Sequence, residues 1–312
     1  WTDAEAHEPR TPQSRFLSEA LRPPPTTDAW RDLIEKDKHA FGEALAGVNL
    51  IEAANPQEEA LAIAIAMREA LESPKKTAAL VTPDRGLARR VAIELSRWDI
   101  AIDDSAGTPL ARTPPGTFLT LLARTCAEGL SPVSLLGLLK HPLTAGGMEP
   151  AKFRRLVREM ELLALRGLRP EPALEGIANA LARKDALEEL QKWFADLHKI
   201  LLPFLESSNA QKITLREIVA AHALAAERLA STSEQRGEEI LWRGAAGEAA
   251  SALVTELLEH GADCILRSGD QYADVFRDLA EARVVRPRFG LHPRLSLLGP
   301  LEARLQHFDL VI

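Results

Sequence analysis

The 312-residue chain is 46% hydrophobic and 27% charged, enough apolar material to bury one large core or two ordinary ones. Its formal net charge of −7 excludes an indiscriminately basic nucleic-acid binder but leaves room for local basic grooves, because the 38 Lys and Arg are unevenly placed. No apolar run approaches the ~20 residues of a membrane span, and no signal-peptide pattern opens the chain. Only two cysteines occur, Cys126 and Cys264, which reads as buried thiols in a reducing, cytoplasmic setting rather than a disulfide framework or zinc site.

Residues 1–47 read as a lead-in segment with short helices, rich in Pro, Thr and charge. The chain starts at Trp1 rather than Met and stops inside a strand pattern, so it reads as part of something longer. From Val48 the pattern alternates. Residues 48–54 (VNLIEAA) read as a strand, and 55–73 as a helix in which Asn55 caps, Pro56 suits the first turn and Glu58 supplies a capping-box acid. Residues 77–82 (TAALVT) are the next strand. A polar residue followed by proline recurs at Thr82-Pro83, Thr113-Pro114 and Ser131-Pro132, each a predicted helix start. Strand, helix, strand in this order marks a parallel α/β sheet over 48–130.

After Ser131 strand signals vanish and 131–283 reads as a helical insertion. Helical periods run through 131–143, 151–167, 172–207, 213–231, 240–261 and 270–283. Over 151–167, Phe153, Leu156, Val157, Met160 and Leu163 share one face, leaving Arg154, Arg155 and Arg158 on a solvated one. Residues 294–300 and 308–312 read as strands returning to the sheet. The fold class expected is therefore α/β with a large all-helical insertion, mostly α by residue count, with 284–312 rejoining the sheet.

The sequence offers little catalytic chemistry. No glycine precedes any lysine, so no phosphate-binding loop of the Gly-x-x-x-x-Gly-Lys-Ser/Thr type exists. Nucleophile elbows, His-Glu-x-x-His and Cys-x-x-Cys are also missing. Asp103 and Asp104 invite a metal reading, but adjacent strand residues point to opposite faces and further ligands are lacking, so they read as turn and cap residues. His141 and His292 each precede proline and read as polar boundary residues. Two basic clusters stand out. Arg85, Arg89 and Arg90 ride the helix expected after Pro83, with Arg85 in a first turn suited to phosphate. Arg283, Arg286, Arg288, Arg294 and Arg304 form the other.

Taken together, residues 77–123, 134–143 (SLLGLLKHPL) and 292–312 (HPRLSLLGPLEARLQHFDLVI) closely resemble AddB, the double-strand-break repair subunit of the bacterial AddAB helicase–nuclease, of alphaproteobacterial type. The likeness is strongest over 77–143 and 283–312 and thin in the helical middle. It implies part of a RecA-like (UvrD-type helicase) P-loop-fold domain with a degenerate ATP site. Against active relatives, Thr82, Pro83, Asp84 and Arg85 fill one motif start, and Asp103, Asp104 and Gly107 close that stretch. Gly299, Glu302 and Arg304 lie where those relatives carry a Lys-Gly pair that this chain lacks.

The resemblance implies no catalytic residue here, with the family's iron–sulfur cluster and Mg expected only in a nuclease domain beyond Ile312. It implies DNA as a partner, both single strands and duplex ends, and an AddA-type subunit in a heterodimer. The contact candidates are Thr82, Arg85, Lys140, His141, His292, Arg294 and Arg304. The competing expectation is a scaffold that docks partner subunits without touching DNA, which the acidic net charge favours.

Overall fold

The computed structural model describes residues 11–36, 40–166, 170–171, 173–183, 187–266, 268–286 and 292–312. It is 63% helical with a small parallel sheet, and divides into two units, residues 1–62 and 63–312.

The first unit holds α1 (Pro12–Ala20), α2 (Ala29–Lys36) and α3 (Ala40–Ala44), and it contains the start of α4 (Pro56–Glu72), which runs on into the second. Thr11 caps α1 by accepting from Ser14 N at 3.1 Å, and the Trp30 indole ties α2 to α1 through Glu19 O at 2.9 Å. The strand expected at 48–54 does not form. Its alternation is real, but a strand exists only through a ladder partner, and this stretch joins none among the described residues. Val48, Leu50 and Ile51 are instead 67%, 87% and 67% exposed. The cap that follows is as the sequence reads. Asn55 Oδ1 accepts from Gln57 N and Glu58 N at 3.0 Å, while Glu58 reaches back to Ala54 N.

The second unit continues with β1 (Ala78–Val81), α5 (Arg85–Ser96), β2 (Asp103–Asp104) and β3 (Thr108–Pro109). Helices α6 (Pro114–Ala127), α7 (Pro132–Leu139), α8 (Pro150–Met160), α9 (Ala173–Arg183) and α10 (Glu188–Asn209) follow, with a π-helical turn at Glu161–Leu165 extending α8. Next come β4 (Ile213–Thr214), α11 (Leu215–Ala230), α12 (Gly237–Leu241), α13 (Gly244–His260) and β5 (Ile265–Leu266). The chain returns through α14 (Gly269–Ala282), β6 (Val284–Val285), β7 (Leu295–Leu298) and β8 (Leu310–Val311).

Strand order is β2-β7-β1-β8, every pairing parallel, with Ala78 opposite both Leu295 and Leu310, and Asp103 opposite Ser296. Asp103 and Asp104 thus form the edge strand, and Asp104 also opens the turn expected there, its carbonyl accepting from Gly107 N at 2.9 Å and its Oδ1 from Ala106 N at 3.1 Å. Ala78, Ala79 and Leu80 are all buried, the run of small and apolar residues that a parallel strand covered on both faces requires. The helical excursion leaves and re-enters through the antiparallel pair β3–β6, Thr108 opposite Val285. Gly107 makes that neck closable. It sits at φ +66°, and a Cβ there would lie 2.5 Å from Val284 Cγ1, so only glycine satisfies both the backbone and the close approach.

The helices share one apolar cluster that begins at Leu110 and closes at Val285, with Phe118, Phe153, Phe204 and Phe276 among its members. Helix α6 belongs to this cluster, which places the start of the helical body before residue 131. At its centre lies His222, 1% exposed. Its ring stacks on Phe204 at 4.8 Å. Leu119 O, 3.1 Å from Nε2, can only accept, so Nε2 carries the proton and Nδ1 accepts from Tyr272 OH at 2.6 Å. Burial pushes the His222 imidazole down from 6.5 to about 3.

Candidate functional site

In an open parallel sheet, the loops leaving the carboxyl ends of the strands make the natural binding edge. Here those loops begin at Thr82 after β1, Gly299 after β7 and Ser105 after β2. The sequence candidates Thr82, Pro83, Asp84, Arg85, Asp104, Gly299, Glu302 and Arg304 gather there because β1 and β7 are neighbours and β2 pairs with β7.

The helix start expected at Pro83 shifts by two residues. Asp84 is the true N-cap of α5, its Oδ1 accepting from Gly86 N at 2.7 Å and Leu87 N at 3.1 Å. Those backbone bonds, to Leu87 first, with Arg90 adding charge, hold the Asp84 carboxyl below its usual range. Thr82 is 7% exposed, with its N–H on Leu298 O and its Oγ1 accepting from Asp84 N at 3.0 Å. Arg85 bonds the Asp104 carboxylate, which also takes Ala106 N at 3.1 Å. Arg90 stands 3.8 Å from Asp84.

Arg85, Arg90 and the N–H groups at the start of α5 are therefore already engaged by two carboxylates of the chain itself. Asp84 sits on the helix N-terminus and Asp104 on Arg85, both in the positions an incoming oxyanion would take. Arg304 differs: it is exposed in the 299–309 loop with no ion pair among the described residues. Glu302 folds over Gly299, where a Cβ would lie 2.2 Å from its Oε2.

The remaining candidates lie elsewhere. His292 and Arg294 stand at the opposite, amino end of β7, where Ala78 N donates to Arg294 O. The Arg294 guanidinium reaches Leu71 O, Ser73 O and Lys76 O at 3.1, 2.8 and 3.3 Å, closing the end of α4. The guanidinium fork thus serves carbonyls at and just past the end of α4, which lack partners of their own in the helix. His292 accepts from Arg294 N through Nδ1, and desolvation, with Arg294 beside it, pushes its imidazole down. Lys140 is paired with Glu161, and His141 is half-buried with its ring 5.3 Å from Phe118. Burial pushes His141 down as well. Of the second basic cluster, Arg283 pairs with Glu256, and Arg288 lies outside the described residues.

Among the described residues no group of three or more His, Cys, Asp and Glu side chains converges as a metal site, and no helix is long and apolar enough to cross a membrane. A cysteine-held iron–sulfur cluster does not fit these residues. Cys126 is buried in the helical core, where desolvation pushes its thiol far up, while Cys264 is exposed. Sequence reasoning did not find Asp84 and Asp104 as internal counter-anions. The signal was present, since Asp is a favoured N-cap residue, but pairing Asp104 with Arg85 needed the β2 register. Neither a family model nor a curated protein matches the chain.

Proposed function

We propose that the chain is a non-catalytic, helicase-like region of an AddB-type subunit that binds and channels DNA during end resection, in the cytoplasm, beside an AddA-type partner. In this reading its sheet belongs to a RecA-like fold with a degenerate nucleotide site. The observation that carries it is the carboxyl edge of the parallel sheet. Two arginines, Arg85 and Arg304, follow adjacent strands there, while Asp84 and Asp104 take the place a nucleotide phosphate would need. Such an edge suits transient contact with a polyanion better than tight nucleotide binding, because each phosphate must compete with a built-in carboxylate.

Fluorescent single-stranded DNA titrated across about 50 to 200 mM salt tests this. Two phosphate contacts correspond to a slope of about −1.4 in log affinity against log salt, and Arg304→Ala should lower it to about −0.7. Asp104→Asn frees Arg85 and should tighten binding. Absence of salt-dependent binding, or a slope that neither variant changes, defeats the DNA reading. It leaves the scaffold alternative, which the net charge of −7 and the internally paired arginines favour.

A further inference from the structure

Four described residues other than glycine hold a positive φ: Lys75, Asp99, Leu130 and Leu305. Lys75 and Asp99 lie in the turns that follow α4 and α5, an ordinary place for a left-handed residue. Leu130 is 3% exposed in the helical core, where packing offsets the backbone cost. Leu305 has neither support. Its φ is +63° and it is 99% exposed, so both its backbone and its side chain stand in unfavourable states. Strain of this kind persists only where the surroundings impose it, and it gathers at binding sites.

The 299–309 loop does impose it. Ala303 N donates to Gly299 O at 3.1 Å and Gln306 N to Ala303 O at 3.3 Å. The Gln306 side chain reaches back across Leu305 to Glu302 O at 2.7 Å. Asp309 fixes the far end, its Oδ2 accepting from Thr77 N and Thr77 Oγ1 at 2.8 and 2.9 Å. Leu305 is therefore presented in a fixed turn, and a contact made in advance loses little freedom on binding.

Its neighbours indicate what it meets. Arg304, the preceding residue, is exposed and has no ion pair among the described residues. The exposed apolar side chains of the loop are Leu301 and Leu305, set among Glu302, Arg304, Gln306 and His307. That is a small apolar area beside the roughly 800 Å² per partner of a stable protein interface. Each unit of a nucleic-acid strand, in contrast, carries a flat base face and an anionic phosphate, which an apolar knob next to a free guanidinium matches. We propose that Leu305 packs on the face of an unstacked base while Arg304 takes an adjoining phosphate. This contact rests on the DNA-binding role proposed for the sheet edge, and it adds bases to a role that otherwise needs phosphates alone.

Leu305→Gly tests it, because a φ of +63° suits glycine and the variant should melt at or above the temperature of the native protein. Two labelled ligands of equal length and charge separate base from phosphate: an oligothymidylate and an oligomer of abasic deoxyribose phosphates, each titrated into the full chain at low salt. The native protein should bind the oligothymidylate about fivefold more tightly than the abasic oligomer, the gain expected from covering one leucine with one base. Leu305→Gly should bind both at the abasic level, with the salt slope of the native protein, since no phosphate contact is lost. Equal binding of the two oligomers by the native protein, or an oligothymidylate affinity unmoved in Leu305→Gly, overturns the base contact while leaving salt-dependent DNA binding intact, and points to a protein surface instead. A lower melting temperature in Leu305→Gly overturns it as well, because the side chain is then packed rather than presented. No binding of either oligomer by the native protein defeats the DNA role and this contact together.

Discussion

Acid should weaken the helical body through His222 before the carboxylates titrate. The imidazole is neutral in the folded state, held so by full burial, with its usual value of 6.5 lowered to about 3. The unfolded chain binds a proton below about 6.5 that the folded chain refuses until about 3, so stability is present above that window and lost as pH falls through it. Between pH 7 and 5 this one group removes about 2 kcal/mol, and by pH 4 about 3 kcal/mol, at roughly 1.4 kcal/mol per pH unit. His141 and His292 act in the same direction, since both are lowered as well. A difference measurement isolates His222. Glutamine there can still donate to Leu119 O and accept from Tyr272 OH but does not titrate. Urea unfolding at pH 7, 6 and 5 should show the native protein losing about 2 kcal/mol more than His222→Gln over that range. If the two proteins lose the same stability to within about 0.5 kcal/mol, the reasoning about this buried ring is wrong.

Two further substitutions probe the frame. Arg294→Ala should cost about 1–3 kcal/mol in urea unfolding, because Leu71, Ser73 and Lys76 carbonyls lose their shared donor; a loss below ~0.5 kcal/mol would mean that water replaces the guanidinium without penalty. Gly116→Ala should cost about 3 kcal/mol or more, since its Cβ would fall 1.8 Å from Leu110 O where α6 meets the preceding turn; a melting temperature unchanged from the native protein would show that this turn gives way freely.

The sheet edge shows how arginines placed to meet an anion can be answered by carboxylates of the same chain. Asp84, Arg85 and Asp104 form a closed set of charges, and the closure depends on β2 lying beside β7. Releasing Asp104 is thus the perturbation that most directly separates a latent anion site from an inert one.

Much of the local structure could be read from neighbouring residues. Asn55 and Thr113 cap the helices they announce, and the apolar face of α8, Phe153 to Met160, is buried as its period requires. These are interactions within one or two turns, whose geometry the chain settles by itself. The 48–54 stretch failed for the opposite reason: alternation states which faces a strand would have but not whether a partner strand will arrive. The long-range choices belong to the tertiary structure. It turned Asp103 and Asp104 into an edge strand, spent Arg294 on helix carbonyls 221 residues away in the chain, and buried His222 against Tyr272. Composition and pattern determined a mostly helical chain around a small parallel sheet. Which charges are already spent depended on groups that only folding brings within hydrogen-bonding distance.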